Sequence, residues 1–131
     1  MDPRSERSLA FVHPDLVAII RETEQLPQAF IVVEGIRTVA QEQHNVDTGH
    51  STTMHSRHLP NAEGLSCAVD VAAIIGGKVS FTPGQEAEVF GAIAAQVKAA
   101  AEELGIPVEW GGDWRNFKDW GHFQLPWKEY P

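Results

Sequence analysis

Three residues that lie far apart in the sequence carry side chains typical of a metal centre. His58 lies in the segment SRHL, Asp70 lies within an apolar run, and His122 begins a second apolar run. An ionised carboxylate flanked by alanine and valine is costly to bury unless it is paired or binds a metal. Two histidines and one carboxylate leave a fourth coordination position for water, which is the arrangement of catalytic zinc sites. The alternative interpretation of Asp70 is a buried ion pair with Arg37.

Asp119 and Arg37 are candidates for the chemistry beside such a metal. Asp119 lies shortly before His122, in the sequence DWGH, where its carboxylate could act as a general base and return the proton to a leaving amine. The alternative is a solvated aspartate in a turn. Arg37 follows an apolar run, and its guanidinium could hold a substrate carboxylate or a developing oxyanion. The alternative is a surface arginine, or the partner of Asp70.

Three tryptophans crowd the glycine-containing segment that precedes His122. They are Trp110, Trp114 and Trp120. Large aromatic side chains at this point could wall a cleft or could belong to the hydrophobic core. We expect a mixture of the two, with Trp110 nearer to the site.

The remaining histidines and the single cysteine are less informative. His44, His50 and His55 cluster in a polar stretch, and the sequence assigns them no role. His55 is a competing first metal ligand. Cys67 is predicted to be a small core residue, and a single cysteine excludes an intramolecular disulfide.

The elements that must position these residues alternate between helices and short strands. Residues 1–8 are predicted to be a loose tail, followed by a helix that begins near His13, a strand over 30–33 and a short helix over 38–43. Residues 44–66 are predicted to be a long loop. A central strand over 67–75, a hairpin to 78–81, a helix over 84–104 and strands over 108–110 and 122–125 follow. Helices and hairpin strands in this mixture indicate the α+β class, with helices packed on a small antiparallel sheet.

The clearest helix is the one predicted over residues 84–104. Gly105 is a typical C-terminal stop, and Pro107 follows it. Apolar residues recur along it three and four positions apart, at Phe90, Ile93, Val97, Ala100 and Leu104. This stripe predicts one helix face packed against the rest of the protein.

Composition and charge exclude several classes of function. The 131 residues are 43% hydrophobic, which suits a single folded domain over residues 1–131. Ten lysines and arginines against eighteen acidic residues give a net charge of -8, which disfavours nucleic acid as a partner. The apolar runs are too short for a transmembrane segment, and we expect no secretory signal peptide, because the N-terminal residues are polar.

Four segments resemble zinc peptidases of the M15 family. They are EGIRTVAQ at 34–41, SRHL at 56–59, AVDVA at 68–72 and EWGGDWRNFKDWGHFQL at 109–125. The family contains D-Ala-D-Ala carboxypeptidases and dipeptidases as well as phage L-alanyl-D-glutamate endopeptidases. The likeness is strongest to short phage endolysins that consist of this catalytic domain alone, without a separate cell-wall-binding domain. The fold implied is the α+β fold of these peptidases, shared with hedgehog-like domains.

The resemblance also implies a role for each candidate residue. One Zn²⁺ per chain would be held by His58, Asp70 and His122. Asp119 would be the general base and acid, and Arg37 would stabilise the oxyanion. Ser56 would contact substrate or hold its loop, and Trp110 and Trp114 would contribute to substrate binding.

The function implied is that of an endolysin that cleaves the L-Ala–D-Glu bond in the stem peptides of peptidoglycan and lyses the host cell. Such a protein is made in the host cytoplasm, is released to the wall, and is expected to be a monomer. The alternatives are a D-Ala-D-Ala carboxypeptidase or dipeptidase with the same centre, and a non-catalytic zinc-binding domain. The base at Asp119 and the open fourth ligand position argue against the last of these.

One departure from the family pattern concerns the interval between the first two ligands. Residues 59–69 separate His58 from Asp70, which is longer than the family usually has. The extra stretch falls within PNAEGLSC at 60–67. We expect it to bulge outward and leave both ligands in place, while it changes the rim of the cleft and so the substrate preference.

Overall fold

Helices flank a small antiparallel sheet in the computed structural model, which describes residues 2–23, 29–49, 56–80, 86–115 and 118–131. Within these ranges the helices are α1 (Pro3–Leu9), α2 (Pro14–Glu22), α3 (Val39–Asp47) and α4 (Gly91–Leu104). The strands are β1 (Phe30–Glu34), β2 (Ala68–Ile75), β3 (Lys78–Ser80), β4 (Glu109–Trp110) and β5 (His122–Gln124). The predicted α+β class is confirmed.

Strand β2 is the centre of the sheet. The strand order is β1-β2-β5-β4, every pairing is antiparallel, and β3 returns along the end of β2 through the predicted hairpin. Val69 and Val71 belong to the hydrophobic core, so strand alternation places Asp70 on the opposite face. Asp70 lies opposite His122 on β5 and opposite Glu34 on β1. The sheet register therefore brings three polar side chains together.

The core lies between the sheet and the helices α2 and α4. Leu16 and Ile19 from α2, Ile93 and Val97 from α4, and Phe123 from β5 are fully buried in one cluster. Each large apolar side chain buried in this way stabilises the fold by about 1.5–3 kcal/mol. This packing fixes β2 and β5, the two strands that carry polar residues on the other face.

The apolar stripe of the long helix is buried along most of its length. A π-helical turn, Glu86–Phe90, leads directly into α4. Leu104 is the exception to the stripe, because it is 39% exposed and Ala101 takes the last buried position instead. The helix ends at Leu104, because the next residue, Gly105, adopts a left-handed conformation with φ of 70°.

The N-terminal segment is a helix, so the prediction of a loose tail over residues 1–8 is wrong. Asp2 caps α1 by accepting a hydrogen bond from the backbone N–H of Ser5, and Pro3 is compatible with a first helical turn. Ser5 is fully buried, and its Oγ accepts a hydrogen bond from the backbone N–H of Val32 at 2.9 Å. Contact with β1 thus orders α1.

The loop predicted over residues 44–66 begins later than expected. Helix α3 continues to Asp47, and Thr38 and Gln41 form a capping box at its start. A hydrogen bond of 2.8 Å from the Gln43 side chain to Asp47 supports its last turn. Residues 50–55 lie outside the described part of the chain. In the part that the structure describes, no helix has the length and apolar character needed to cross a membrane.

Candidate metal centre

The side chains of His58, Asp70 and His122 converge on one point. One potential ligand atom from each residue lies within 4.8 Å of the others. His58 Nε2 lies 3.1 Å from Asp70 Oδ2, and His122 Nδ1 lies 3.1 Å from Asp70 Oδ1. Each oxygen of the carboxylate therefore faces one imidazole ring. The structure brings together all three residues that the sequence pattern singled out.

The hydrogen bonding of His58 fits a metal ligand. Its Nδ1 lies 2.7 Å from the backbone carbonyl oxygen of Gly35, which can only accept, so Nδ1 carries the proton. The lone pair of a neutral ring is then on Nε2, which is buried and makes no hydrogen bond within the described residues. This nitrogen faces a carboxylate oxygen of Asp70, and two acceptors face each other stably only with a cation between them.

His122 repeats this arrangement with its nitrogens exchanged. Its Nε2 lies 2.7 Å from Oε1 of Gln124; with that oxygen as the acceptor, Nε2 carries the proton and the lone pair of the neutral ring is on Nδ1. Nδ1 is the atom that faces Asp70. Both imidazoles thus direct lone pairs towards one carboxylate, a donor set that suits Zn²⁺ and similar divalent ions.

The charges within the cluster favour a bound cation. Burial alone would raise the pKa of Asp70, but the charge of His58 and the close approach of both imidazoles, each 3.1 Å from one of its oxygens, lower it well below its usual range. Burial would lower the pKa of His58, but the charge of Asp70 raises it overall. The carboxylate of Asp70 therefore stays ionised and attracts a positive charge. Protons and metal ions compete for this site, because the imidazole nitrogens must be deprotonated to bind a metal.

Backbone contacts hold His58, since it lies in a loop rather than in a strand. The backbone N–H of Arg37 donates to the His58 carbonyl oxygen at 2.8 Å, and the His58 N–H donates to Oγ of Ser56 at 3.1 Å. Gly35, whose carbonyl oxygen is the partner of His58 Nδ1, lies so close to α1 that a Cβ at this position would be 2.1 Å from the carbonyl oxygen of Ser8. Ser56 thus holds the loop that carries His58, which is one of the two roles that the resemblance implied.

Asp119 lies at the edge of the cluster, outside the set of ligand atoms. Its Oδ2 is 3.9 Å from His122 Nδ1, and its backbone N–H donates to the carbonyl oxygen of Gly111 at 3.0 Å. A Cβ at Gly111 would lie 2.3 Å from the Asp119 carbonyl oxygen, so only glycine permits this approach. Burial and the nearby charge of Asp70 raise the pKa of Asp119. A carboxyl group with a raised pKa is suited to proton transfer near neutral pH.

Arg37 is held by two glutamates. Its Nε donates to Glu34 at 2.7 Å, its Nη1 forms a short ion pair with the fully buried Glu42, and its Nη2 lies 4.0 Å from Asp70. Burial would lower the pKa of Arg37, but hydrogen bonds and charges from Glu34 and Glu42 raise it overall. Arg37 is therefore neither a surface arginine nor mainly the partner of Asp70. Its guanidinium is fixed at the edge of the metal cluster.

The tryptophans divide between the cluster and its support. The Trp114 ring lies 5.1 Å from the His122 ring, directly beside a candidate ligand. Trp110 instead packs against Trp120, and its Nε1–H donates to the Trp120 carbonyl oxygen at 2.8 Å. The expectation that Trp110 is the nearer of the two to the site is wrong, because its ring packs within the loop that carries Asp119.

Three residues that contact the candidate site residues were not predicted from the sequence. They are Glu34, Glu42 and Gln124. Gln124 had a usable signal, because alternate residues of a strand share a face and Gln124 follows His122 by two positions. Glu42 had none, because a glutamate on a helix is rarely buried and its partner lies in another element.

The remaining histidines and Cys67 lie away from the ligand group. His13 caps α2 by accepting a hydrogen bond from the backbone N–H of Asp15 at 3.1 Å, and His44 is exposed on α3. His50 and His55, the competing ligand, lie outside the described residues. Cys67 is buried, as predicted, and burial raises the pKa of its thiol.

The longer interval between the first two ligands forms a closed turn. The Asn61 side chain accepts hydrogen bonds from the backbone N–H groups of Glu63 at 2.8 Å and Leu65 at 3.0 Å. The stretch 60–67 thus closes on itself, and His58 and Asp70 on either side of it remain in contact.

Comparisons with known proteins give a consistent result. A family model described as phage L-alanyl-D-glutamate peptidase matches residues 1–123. The L-alanyl-D-glutamate peptidase of Escherichia phage T5 is 35% identical, over 92% of this chain and 93% of that protein. The enzyme of the same name from Listeria phage A118 is 34% identical over 76% of this chain. The matched part is 31% of the length of the Listeria phage enzyme. The crystal structure of the Serratia marcescens L-Ala D-Glu endopeptidase ChiX superposes with a TM-score of 0.86 at 42% identity, covering 100% of this chain and 92% of that one.

Proposed function

The chain belongs to the phage L-alanyl-D-glutamate peptidase family, and we propose that it is a zinc-dependent endolysin that hydrolyses the L-Ala–D-Glu bond in the stem peptides of peptidoglycan. The observation that carries this proposal is the convergence of ligand atoms from His58, Asp70 and His122, with the buried Nε2 of His58 making no hydrogen bond within the described residues. A carboxylate faced by two hydrogen-bond acceptors is a site for a cation. His58, Asp70 and His122 would hold one Zn²⁺, since nitrogen ligands favour zinc over calcium or magnesium.

Zinc in such a site polarises a carbonyl group and lowers the pKa of water. The chain itself supplies the proton transfers. Asp119 lies beside the cluster with a raised pKa, so its carboxylate can take a proton from the attacking water. The same group can then return that proton to the nitrogen of D-glutamate as the peptide bond breaks.

Arg37 would stabilise the negative charge that develops on the scissile carbonyl oxygen. Its guanidinium is held beside Asp70 by Glu34 and Glu42 before any substrate arrives. A donor fixed in advance does not need to reorganise during the reaction, which is the basis of electrostatic stabilisation in enzymes. The Trp114 ring beside His122 would form part of the substrate-binding wall.

The cellular setting follows from the same proposal. The chain would be made in the host cytoplasm, reach the wall after release, and act there as a monomer on host peptidoglycan. Fractionation of infected cells before and after lysis would follow this path.

Mass spectrometry of purified Gram-negative sacculi digested by the protein tests the reaction. We expect released stem peptides that begin with D-Glu, and we expect a chelator to abolish their release. Loss of terminal D-Ala alone would instead indicate a carboxypeptidase. Bound zinc with no change in the sacculi would indicate a non-catalytic domain.

A further inference from the structure

The substrate of the proposed reaction carries a negative charge next to the bond that breaks. A glutamyl residue within a peptide uses one of its two carboxyl groups for the onward bond and keeps the other as a carboxylate. The chain has a net charge of -8, so its overall field repels such a group. A local cation in the cleft is therefore needed to bind it. The inference that follows rests on the proposed function.

A cavity of about 370 Å³ opens beside the metal cluster, and it contains one cationic side chain among the residues that line it. Asp70 and Asp119 form its polar side, and Phe90 and Trp120 contribute apolar wall. The cation is Lys118, which directly precedes Asp119 in the chain. A ligand in this cavity would contact the candidate base and Lys118 together.

The ammonium group of Lys118 is held in place by neutral groups. Its Nζ donates to the carbonyl oxygens of Gly112 at 3.0 Å and Trp114 at 3.1 Å. It also lies 5.7 Å from the centre of the Trp120 ring. An ammonium has three N–H donors, so these two hydrogen bonds fix its position and leave one donor for a ligand.

Two other cations, Arg37 and Lys98, already have carboxylate partners. Arg37 pairs with Glu34 and Glu42, and Lys98 pairs with Asp113 at 2.6 Å. Among the described residues, no carboxylate lies at ion-pair distance from Lys118. Its positive charge is therefore not neutralised within this part of the protein, and Lys118 lines the same cavity as Asp119.

We propose that Lys118 binds the free carboxylate of the D-glutamyl residue. The interaction places the leaving nitrogen near Asp119, since the two side chains are neighbours in one cavity. It also makes the enzyme specific for glutamate whose second carboxyl group is free rather than amidated.

Two matched peptides test this specificity. Each contains L-Ala, D-Glu and L-Lys joined through one carboxyl group of the glutamate, and the other carboxyl group is either the free acid or the amide. We expect zinc-loaded wild-type protein to cleave the free acid with a kcat/KM higher by about 10- to 100-fold, the value of one charge-assisted hydrogen bond. Lys118→Met should lose this preference, mainly through a higher KM for the free acid.

The amide peptide and a second lysine serve as controls. Lys118→Met also removes the hydrogen bonds to the carbonyl oxygens of Gly112 and Trp114, so its rate on the amide peptide measures the loss that comes from the loop alone, and the ratio of the two rates measures the preference. Lys78→Met removes the same charge from the exposed β2–β3 hairpin and should keep the full preference. A preference that persists in Lys118→Met, or equal losses on both peptides, would overturn the assignment. If wild type cleaved neither peptide, the proposed function itself would fail, and this inference with it.

Discussion

The metal cluster has a strand half and a loop half that are built in different ways. In the strand half, Asp70 and His122 lie opposite each other on β2 and β5, and the core on the other face of the sheet fixes their register. In the loop half, His58, Asp119 and Arg37 depend on single hydrogen bonds, on ion pairs and on glycines that permit close approach. Strand geometry places residues through many shared contacts, whereas each loop residue depends on a few specific partners.

This difference separates metal binding from catalysis. The strand half supplies two of the three proposed ligands, so it should control the affinity for the metal. Two of the three loop residues, Asp119 and Arg37, lie outside the proposed ligand set, and in the proposed mechanism they act on the proton and on the developing charge. Substitutions in the two halves should therefore give different combinations of lost metal, lost activity and lost stability.

The largest loss of rate without loss of metal is expected for Asp119→Asn. The amide keeps the shape of the side chain but cannot take a proton, so kcat should fall by about 10²- to 10⁴-fold, the usual contribution of a general base. Zinc content, measured by mass spectrometry of the metal, should stay at the wild-type level. Asp113→Asn is the matched control, because Asp113 is an exposed aspartate nearby. A fully active Asp119→Asn variant would remove Asp119 from the mechanism.

A smaller effect, on stability, is expected for Glu42→Gln. Glu42 is fully buried against Arg37, and removing the charge of one partner in a buried pair destabilises proteins by about 3–5 kcal/mol. We expect a value near the lower limit, since Glu34 still faces the guanidinium. Urea unfolding measures the difference, and Glu34→Gln should cost less because its side chain is 38% exposed. Equal costs for the two variants would show that burial does not distinguish the two pairs.

The smallest effect is expected outside both halves, at the pair of Glu6 and Arg21 between α1 and α2. Two hydrogen bonds from Arg21, at 2.7 and 2.9 Å, lower the pKa of Glu6 from 4.5 to about 2. A lowered pKa means that the stabilisation is fully present above pH 4.5 and is lost as the pH falls towards 2. Glu6→Gln should lower the melting temperature slightly at pH 7, and the difference from wild type should shrink across that interval. A difference that grew on acidification would contradict this account, and cleavage at pH 7 should not change.

Sequence reasoning was most successful where periodicity determines structure. Alternation and turn residues located β2 and its hairpin, and helical spacing located most of the buried face of α4. The family resemblance, carried chiefly by the segment 109–125, is confirmed by the comparisons. Long-range partners could not be predicted in the same way. The burial of Glu42 depends on Arg37 in a different element, and α1 is ordered by the contact of Ser5 with β1, so neither leaves a local pattern.

The central claim is that His58, Asp70 and His122 hold the zinc on which activity depends. Titrating metal-free protein with Zn²⁺, while stem-peptide cleavage is followed, tests this claim most directly. The account predicts that activity returns in proportion to zinc and reaches its maximum at about one ion per chain, as three ligands with one open position imply. Asp70→Asn should stay folded and bind zinc at least about 100-fold more weakly. Loss of a residue that only hydrogen-bonds to a metal ligand costs about 10- to 100-fold, and loss of a ligand itself should cost more. Full activity of the metal-free protein, or unchanged zinc affinity in Asp70→Asn, would contradict the account.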